Sequence, residues 1–323
     1  MTRSSPDLSI AWPRTLVWNT NPTLDVASAV PSLSVGTVHR ADYQGVAAGG
    51  KGTLVIRALT ALGGECDGVA PLAGDVGAFV RELLHNEGLT LHISEVSGQT
   101  RVAVSVSESN RGRDTVVNGP GPTADDGLWQ EHIELVKSLL GGGRYQYFLI
   151  AGRPPPTAST TIMAELTRLS QGLGVRTVCD TSSPYFESCL TEKPWLMKVN
   201  CHEAAEALRI SKSGHELVKE VLERGAQNVI LTDGPHTVRG SLEGTAFSVD
   251  PPPVRVSSAV GCGDCFLAGL IFAISRGQTR VEEVVTSAIA VASAAAETPQ
   301  PGHFLPSRAA ELRQEINVQC GGV

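Results

Sequence analysis

The sequence predicts an α/β protein in which a mostly parallel sheet is covered by helices on both faces. Strand-like and helix-like segments alternate along the chain, which is typical of such sheets. The strand-like segments are short apolar runs that end in turn residues: "TLVWNT", "DGVAPLA", "YQYFLIAG", "VRTVCDTS", "WLMKVN" and "NVILTDG". Between them lie amphipathic patterns with helical spacing, such as "LVIRALTALG", "VGAFVRELLHNEG" and "LWQEHIELVKSLLGGG".

Two stretches depart from this alternation. "SLSVGTVHRADYQ" and "TRVAVSVSESNRGRDTVVNG" show a period of two, with turn residues inside, which is typical of half-exposed antiparallel strands. Both flank the first strand–helix units, so we expect a small β lid over about 32–45 and 98–119. Residues 14–323 then form a single domain that includes this lid, and residues 1–13 form an N-terminal extension.

The composition limits the classes of partner. The chain has 323 residues, of which 18% are charged, and its net charge is −7 without a basic tail. Nucleic acid is therefore not expected as a partner. Seven cysteines occur without a disulfide framework, and the first residues, "MTRSSPDLSIAWPR", hold no apolar segment. We therefore expect a cytoplasmic protein without a membrane span.

The segment "AVGCGDCFLAGL" (259–270) places a carboxylate between a glycine turn and an apolar run. Apolar residues recur at helical spacing over 265–276, so Asp264 is predicted in the first turn of a helix. A helix start offers unpaired N–H groups, and glycines let the backbone approach an anion. The backbone of Gly261, Cys262 and Gly263 can then hold a migrating phosphoryl group while Asp264 orients or deprotonates the accepting hydroxyl. An ordinary N-capping aspartate beside loop glycines would give the same pattern.

The segment "GVAAGGKG" (45–52) nearly matches the phosphate-binding P-loop, G-x-x-x-x-G-K-[ST]. Gly52 stands where that loop needs a hydroxyl for magnesium, and the preceding "HRADYQ" is not a buried strand. We therefore reject the P-loop. The motif instead predicts a turn into a helix over 53–62, where backbone groups and Lys51 meet a polar ligand.

The two glycine motifs, at 49–52 and 261–264, resemble the paired signatures of the PfkB/ribokinase sugar-kinase family. Further segments follow the order of that family and are similar to its 1-phosphofructokinase and tagatose-6-phosphate kinase branch. They are "NPTLD", "GQTRVAVSVSE", "VVNGPGPT", "PWLMKVNCHEAAEAL" and "VILTDG". The similarity runs from about residue 21 to beyond residue 270. It implies a ribokinase-like three-layer αβα core with a small β lid.

The resemblance also implies roles for the matching residues. Asp264 would be the catalytic base, and the backbone of the turn before it would form the anion hole. ATP and Mg²⁺ would be the cofactors, and the residues that would bind them are Asn200, Glu203, Thr232 and Gly234, with Glu203 holding magnesium through water. The residues that would bind the substrate are Asp25, Gly49, Gly50, Lys51, Arg101 and Arg153. Arg101 would reach from the lid to a phosphate already on the sugar.

Four departures from the family pattern fall on the acceptor side of this site. Leu54 and Ala103 stand where asparagines are expected, and Arg153 stands where a serine is expected. The segment "VNGPGP" also lacks the usual glutamate. An unpaired polar group costs about 1–3 kcal/mol, so the two lost amides would weaken or retune sugar recognition. The extra arginine would compensate by binding a phosphate or carboxylate of the substrate.

These features predict an ATP-dependent kinase that converts fructose 1-phosphate, fructose 6-phosphate or tagatose 6-phosphate to a bisphosphate. Two alternatives remain open: a kinase for an unphosphorylated sugar or nucleoside, and a non-catalytic sugar-sensing module with the same fold. Exposed lid edges favour a homodimer.

Two further motifs are less specific. Cys262 and Cys265 form a Cys-x-x-Cys without the second pair that a zinc site of this type needs. Thiols near a helix start are acidified, which would suit a redox pair, whereas small residues that fill this turn would serve packing alone. His202 precedes Glu203, but no histidine follows four residues later, so the zinc-protease motif is absent.

Overall fold

The computed structural model describes residues 14–111, 113–124 and 126–321, so the expected N-terminal extension lies outside the described residues. The strands are β1 (Arg14–Asn19), β2 (Thr23–Val30), β3 (Tyr43–Gly49), β4 (Cys66–Leu72), β5 (Leu91–Glu95), β6 (Arg101–Glu108), β7 (Arg113–Asn118), β8 (Tyr145–Ala151), β9 (Arg176–Asp180), β10 (Leu196–Asn200), β11 (Asn228–Thr232), β12 (Val238–Leu242), β13 (Thr245–Val249) and β14 (Gln319–Gly321). The helices are α1 (Lys51–Ala61), α2 (Gly74–Asn86), α3 (Gly127–Gly141), α4 (Ile162–Gly172), α5 (Tyr185–Thr191), α6 (Cys201–Leu208), α7 (Gly214–Glu223), α8 (Cys262–Ser275), α9 (Val281–Ala296) and α10 (Pro306–Leu312). In the described part of the chain, no helix combines the length and the apolar character that crossing a membrane requires.

The main sheet runs in the order β14-β13-β12-β11-β10-β9-β8-β1-β4-β5. From β11 to β5 every neighbouring pair is parallel. The pairs β11–β12, β12–β13 and β13–β14 are antiparallel and extend one side of the sheet. Each of the six apolar runs forms a strand of the parallel part, so the predicted mostly parallel sheet is confirmed.

Helices cover both faces of the main sheet. Val17 of β1 packs in one core with Leu267 of α8, whereas its neighbours Leu16 and Trp18 pack in the other core with Ile133 of α3. Successive strand residues point to opposite faces, so the sheet separates two buried layers. Helices α1, α8, α9 and α10 supply the first layer, and α3 to α7 supply the second. The predicted three-layer αβα core is confirmed.

A second sheet has the order β3-β2-β6-β7, and we call it the small sheet. Its β2–β3 and β6–β7 pairs are antiparallel, but β2 and β6 are parallel. The expectation of antiparallel strands is therefore wrong for the central pair. The expected lid segment at 32–45 is also largely wrong, because residues 31–42 form no strand and Val35 and Val38 there are almost fully exposed. Strand β2 was not predicted. Pro22 has no N–H group to continue the β1 ladder, so a separate strand begins after it.

Four strand ends of the small sheet lie along one edge, which we call its base. Thr23 begins β2 and pairs with Gly49, the last residue of β3, and with Arg101, the first residue of β6. Asn118 ends β7 beside the start of β6. Three residues connect β1 to β2, and one residue connects β3 to α1. The base therefore joins the small sheet to the carboxyl ends of the main sheet.

One face of the small sheet carries a row of valines. Val26 pairs with Val46 on β3 and with Val104 on β6, and Val104 pairs with Val117 on β7. Cross-strand partners project from the same face. Val46 is 49% exposed and Val117 is 66% exposed. We call these four residues the valine row; it faces outward rather than into the core.

Candidate active site

A buried ion-pair network lies at the carboxyl end of the parallel strands. Asp180, the last residue of β9, accepts hydrogen bonds from Lys51 Nζ at 2.6 Å and from Lys198 Nζ at 2.7 Å. Lys51 is the first residue of α1, and Lys198 lies within β10. The side chain of Asp180 is 1% exposed. Burial by itself raises the pKa of Asp180, but the two ammonium groups outweigh burial and hold this pKa below its usual range.

The late glycine motif forms a tight turn against Lys198. Gly261 has a φ of 82°, in the left-handed region that favours glycine, and α8 begins at the next residue. A Cβ at Gly263 would lie 2.7 Å from Nζ of Lys198. The amide of Asp264 donates to the carbonyl oxygen of Gly261 at 3.1 Å. The turn therefore needs glycine both for its conformation and for the approach of the ammonium group.

Asp264 lies in the first turn of α8, as predicted, and is 7% exposed. Burial raises the pKa of this carboxyl group, Lys51 and Lys198 lower it, and Asp180 raises it further. The outcome is a pKa of about 7. A carboxyl group with this pKa exchanges its proton near neutral pH, which is the property that a general base needs.

The early glycine motif makes room for Asp25. A Cβ at Gly49 would lie 2.0 Å from Oδ2 of Asp25, so any side chain at this position would displace the carboxylate. Gly50 has a φ of 91°, and a Cβ there would lie 2.8 Å from Oδ1 of Asn19. Burial raises the pKa of Asp25 to about 6, against the lowering effect of Arg101. Gly49 and Gly50 thus hold the backbone close to two polar side chains.

Arg101 projects from the base of the small sheet. Its Nε donates to the carbonyl oxygen of Asn21 at 3.1 Å, and its Nη1 donates to Oδ1 of Asn118 at 3.3 Å. Burial lowers the pKa of Arg101, while the nearby Asp25 raises it. These contacts hold the guanidinium group in one orientation.

A cavity of about 680 Å³ lies between the main sheet and the base of the small sheet. The predicted site residues on its wall are Lys51, Arg101, Arg153 and Glu203. Other polar residues of the wall are Asn19, Thr20, Asn21, Asn118, Thr160, Thr181 and Ser182. Asp25 and Asp264 are not part of this wall. Many hydrogen-bonding groups and two arginines suit a small hydroxylated ligand that carries an anionic group.

The residues assigned to nucleotide and magnesium lie at the ends of two neighbouring strands. In the parallel pair of β10 and β11, Asn200 stands opposite Thr232. Asn200 caps α6, because its Oδ1 accepts a hydrogen bond from the amide of His202 at 2.9 Å. Glu203 lies in the first turn of α6, and Gly234 has a φ of 54° just after β11. The fold thus brings these four assigned residues to one edge of the sheet, with Asn200 also serving as a cap.

The thiols of the Cys-x-x-Cys motif are not acidified. Burial, followed by the nearby Asp264 carboxylate, raises the pKa of Cys262 to about 11, and the same two causes raise the pKa of Cys265. The expectation that the helix start acidifies these thiols is wrong, because burial and the carboxylate outweigh it. The amide of Cys262 donates to the carbonyl oxygen of Ala259 at 3.4 Å. The raised pKa values favour the packing interpretation of the motif over a redox pair. The amide of Cys262, a predicted donor of the anion hole, already has a backbone partner.

The residues that depart from the family pattern lie in different environments. Leu54 is buried in α1, and a Cβ at Gly261 would lie 3.1 Å from its Cδ1, so Leu54 packs against the late glycine turn. Ala103 pairs with Asp25 across the small sheet. Arg153 is exposed on the cavity wall. Two positions that carry an asparagine in the family pattern are therefore occupied by the apolar side chains of Leu54 and Ala103. The third departure, Arg153, adds a cation to the cavity wall.

Sequence reasoning missed three polar residues of this region, Asp180, Lys198 and Asn19. The Nδ2 of Asn19 donates to Oγ1 of Thr53 at 2.8 Å and to the carbonyl oxygen of Gly49 at 3.3 Å, which anchors the early glycine motif. All three missed residues stand at or near the carboxyl end of an apolar strand run. A lysine inside a buried strand needs a charged partner, and this signal was available in "LMKVN".

Comparisons with known proteins agree with this geometry. The chain matches the pfkB family carbohydrate kinases over residues 16–308. It is 28% identical to the 1-phosphofructokinase of Bacillus subtilis over 286 residues, which cover 87% of this chain and 92% of that protein. It is 25% identical to a tagatose-6-phosphate kinase of Staphylococcus epidermidis, with 92% of this chain and 97% of that protein covered. A crystal structure of ribokinase from Thermotoga maritima aligns with a TM-score of 0.75 at 18% identity, covering 94% of this chain and 100% of that one.

The chain therefore belongs to the pfkB family of carbohydrate kinases. Its αβα core is ribokinase-like, and the family and fold predicted from the two glycine motifs are confirmed. The activity that the family defines is that of a carbohydrate kinase. The roles of the individual site residues stay predictions, supported by the geometry above.

We expect Asp180→Asn to lower the free energy of unfolding by about 3–5 kcal/mol, which is typical when one partner of a buried ion pair is removed. The substitution leaves Lys198 buried without a carboxylate. Urea unfolding followed by circular dichroism measures the change. Glu192→Gln is the control, because Glu192 pairs with Arg168 at the surface and surface pairs contribute little. Equal losses in the two variants would contradict a central role for the network.

Proposed function

We propose that this carbohydrate kinase transfers the γ-phosphoryl group of ATP to a hydroxyl group of a sugar phosphate and so forms a bisphosphate. The favoured acceptors are fructose 1-phosphate, fructose 6-phosphate and tagatose 6-phosphate. One observation carries the proposal: Asp264 is a buried carboxyl group in the first turn of α8, directly after a glycine turn that lies against the ammonium group of Lys198. The names of the two relatives, a 1-phosphofructokinase and a tagatose-6-phosphate kinase, support a sugar phosphate as acceptor.

Asp264 acts as the general base in this proposal. It accepts the proton of the acceptor hydroxyl while that oxygen attacks the γ-phosphorus, and the bond between this phosphorus and ADP breaks. Lys198, which lies against Gly263, and Lys51, on the cavity wall, balance negative charge on the transferred group, together with the backbone of residues 261–263. Because these charges are held by the buried Asp180, they need little reorganisation during the reaction.

The nucleotide side consists of Asn200, Glu203, Thr232 and Gly234. Magnesium prefers oxygen ligands and keeps several of its waters, so the carboxylate of Glu203 and the amide oxygen of Asn200 fit a water-mediated contact. When bound with ATP, the ion would supply neutralisation of phosphate charge. Glu203 also lines the larger cavity, which supports a position between the nucleotide and the acceptor.

The acceptor binds in the 680 Å³ cavity. Arg101 and Arg153 offer guanidinium groups, which pair with phosphate in a bidentate manner. Asp25 accepts hydrogen bonds from sugar hydroxyls in this proposal. Because Asp25 and Asp264 lie outside the cavity wall, both would reach the acceptor only when the small sheet closes over it. The small sheet acts as the lid of a single kinase domain, and its closure excludes water that would otherwise hydrolyse ATP.

An unphosphorylated sugar or nucleoside is the second candidate acceptor. One observation favours it: Leu54 packs against the late glycine turn and Ala103 carries no polar group, so neither supplies an amide to the substrate. A panel of phosphorylated and unphosphorylated acceptors, with identification of the products, decides between the two. A non-catalytic sensing role has no support in the site, since the proposed base and its glycine turn are both in place.

We also propose that the protein forms a homodimer through the small sheet. The valine row crosses all four strands and faces outward. Exposed apolar surfaces of this kind mark sites of association. A second copy of the same face would remove the row from water.

Asp264→Asn should lower kcat about 10²–10⁴-fold, the usual value of a general base, with ATP affinity nearly unchanged. The base works only when deprotonated, so wild-type kcat/KM for the acceptor should rise as the pH increases through about 7 and be lost below it. Steady-state kinetics across this range measure both effects. Asp250→Asn, at an exposed carboxylate, is the control and should keep the wild-type profile. A turnover of Asp264→Asn within a few-fold of wild type would remove Asp264 from the role of base.

Arg101→Ala should lower kcat/KM for a phosphorylated acceptor about 10–150-fold, which corresponds to one charge-assisted hydrogen bond of about 1.5–3 kcal/mol. The KM for ATP should change little, because Arg101 lies at the base of the small sheet. Arg40→Ala is the control, since Arg40 is exposed in the loop at 31–42. If an unphosphorylated sugar is the better acceptor and Arg101→Ala is neutral, the second candidate is correct.

Val117→Asp should convert the dimer to a monomer, because it places a charge in the valine row. Sedimentation velocity measures the mass, and circular dichroism confirms that the variant is folded. Leu173→Asp is the matched control, since Leu173 is 46% exposed outside the small sheet. A monomeric wild-type protein, or a dimer that persists in Val117→Asp, would contradict this mode of assembly.

A further inference from the structure

A second cleft, of about 380 Å³, lies beside the amino-terminal end of α6. Residues of α6, of the segment that begins α7 and of the turn after β11 form its wall. The titratable residues of the wall are Cys201, His202, Lys212, Asp233 and Arg239. The proposed phosphoryl transfer uses none of these side chains.

Three donor atoms of different chemistry meet at one side of this cleft. The sulfur of Cys201, a ring nitrogen of His202 and a carboxylate oxygen of Asp233 lie within 4.8 Å of one another. Nε2 of His202 is 3.4 Å from Oδ1 of Asp233, which is too long for a good hydrogen bond. In a tetrahedral zinc site with bonds of about 2.0 Å, a nitrogen and an oxygen ligand stand about 3.3 Å apart. The observed separation is therefore close to that of two ligands of one ion.

The backbone brings these three residues together, while the side chain of His202 is 83% exposed. In the parallel pair of β10 and β11, Asn200 stands opposite Thr232. Cys201 directly follows Asn200 and Asp233 directly follows Thr232, so both residues lie next to each other at the carboxyl ends of two neighbouring strands. The Asn200 cap fixes the first turn of α6, which carries His202. Cys201 and His202 thus come from the first turn of α6, and Asp233 comes from the turn directly after β11.

We propose that Cys201, His202 and Asp233 bind a zinc-class divalent ion, with a fourth position open to the cleft. A thiolate together with an imidazole selects zinc-class ions over magnesium or calcium. The thiolate and the carboxylate carry two negative charges, which balance the ion. The thiol loses its proton when the metal binds, so a free thiolate is not needed beforehand.

The basic side chains of the cleft are already engaged. Nζ of Lys212 lies 2.5 Å from Oε2 of Glu220, and Nη1 of Arg239 donates to the carbonyl oxygen of Thr237 at 3.4 Å. The carboxylate of Glu220 offsets the charge of Lys212, whereas the carbonyl contact leaves the charge of Arg239 in the cleft.

This metal position is distinct from the magnesium position assigned to Glu203. Cys201 and His202 line the 380 Å³ cleft, whereas Glu203, one residue further, lines the 680 Å³ cavity. Consecutive residues at the start of helix α6 therefore line two different cavities. The proposed zinc-class site does not depend on the proposed kinase reaction.

Cobalt(II) is the probe of choice, because thiolate ligation gives a charge-transfer band and four-coordinate cobalt gives strong visible bands. Full-length protein, stripped of metal and without ATP, is titrated with Co²⁺ and then with Zn²⁺. We expect a charge-transfer band that zinc removes. Cys201→Ser should abolish the band. Asp233→Asn and His202→Ala should each weaken Zn²⁺ binding by at least about 10-fold, the loss typical of disturbing even an outer-shell partner, as measured by competition with a chromophoric chelator.

Cys320→Ser is the matched control, because Cys320 is an exposed cysteine on β14, and this variant should keep the band. A wild-type protein without the band, or a Cys201→Ser variant that keeps it, would overturn the proposal. Wild-type zinc affinity in His202→Ala or Asp233→Asn would likewise overturn the three-ligand site. These two variants decide the matter if Cys201→Ser fails to fold. No turnover is measured, so the outcome is separable from that of the kinase assays.

Discussion

Charge balance around Asp180 constrains the whole candidate site. One buried carboxylate holds two ammonium groups that come from different elements, α1 and β10. The early glycine motif and the strand ends are therefore fixed relative to each other. The same two cations act on Asp264 and lower its pKa against the effect of burial. A change that displaces Lys51 or Lys198 thus alters both the packing of the strands and the protonation of Asp264.

The two glycine motifs serve the site in a similar way, although they are far apart in the chain. At Gly49 the missing side chain leaves room for the carboxylate of Asp25, and at Gly263 it leaves room for the ammonium group of Lys198. Each motif also leads into a helix, α1 or α8. The motifs therefore bring charged side chains close to the backbone, and this steric role adds to the conformational freedom usually associated with glycine.

Local patterns were sufficient to predict six parallel strands of the main sheet and helices α1, α2, α3 and α8, because each apolar run is bounded by turn residues and each of these helices has a regular apolar spacing. They did not predict β5 or the antiparallel strands β12, β13 and β14. The small sheet was harder to predict. Leu33 and Val35 alternate with serines, but Val35 is almost fully exposed in a loop, so a period of two there does not indicate a strand. The central network was missed because Lys51 and Asp180 are 129 positions apart, and no local pattern encodes such a pairing. The pKa of Cys262 was misjudged because the burial of that thiol depends on the folded core.

The attachment of the small sheet at its base has a mechanical consequence. Rotation about that edge, acting as a hinge, displaces each residue in proportion to its distance from the edge. Along β2 (Thr23–Val30), at about 3.3 Å per residue, Val30 lies roughly 23 Å from the first residue of the strand, whereas Asp25 lies roughly 7 Å from it. A given swing therefore moves Asp25 less than about a third as far as Val30. A wide aperture for exchange of ligands is thus compatible with small displacements of the groups nearest the cavity.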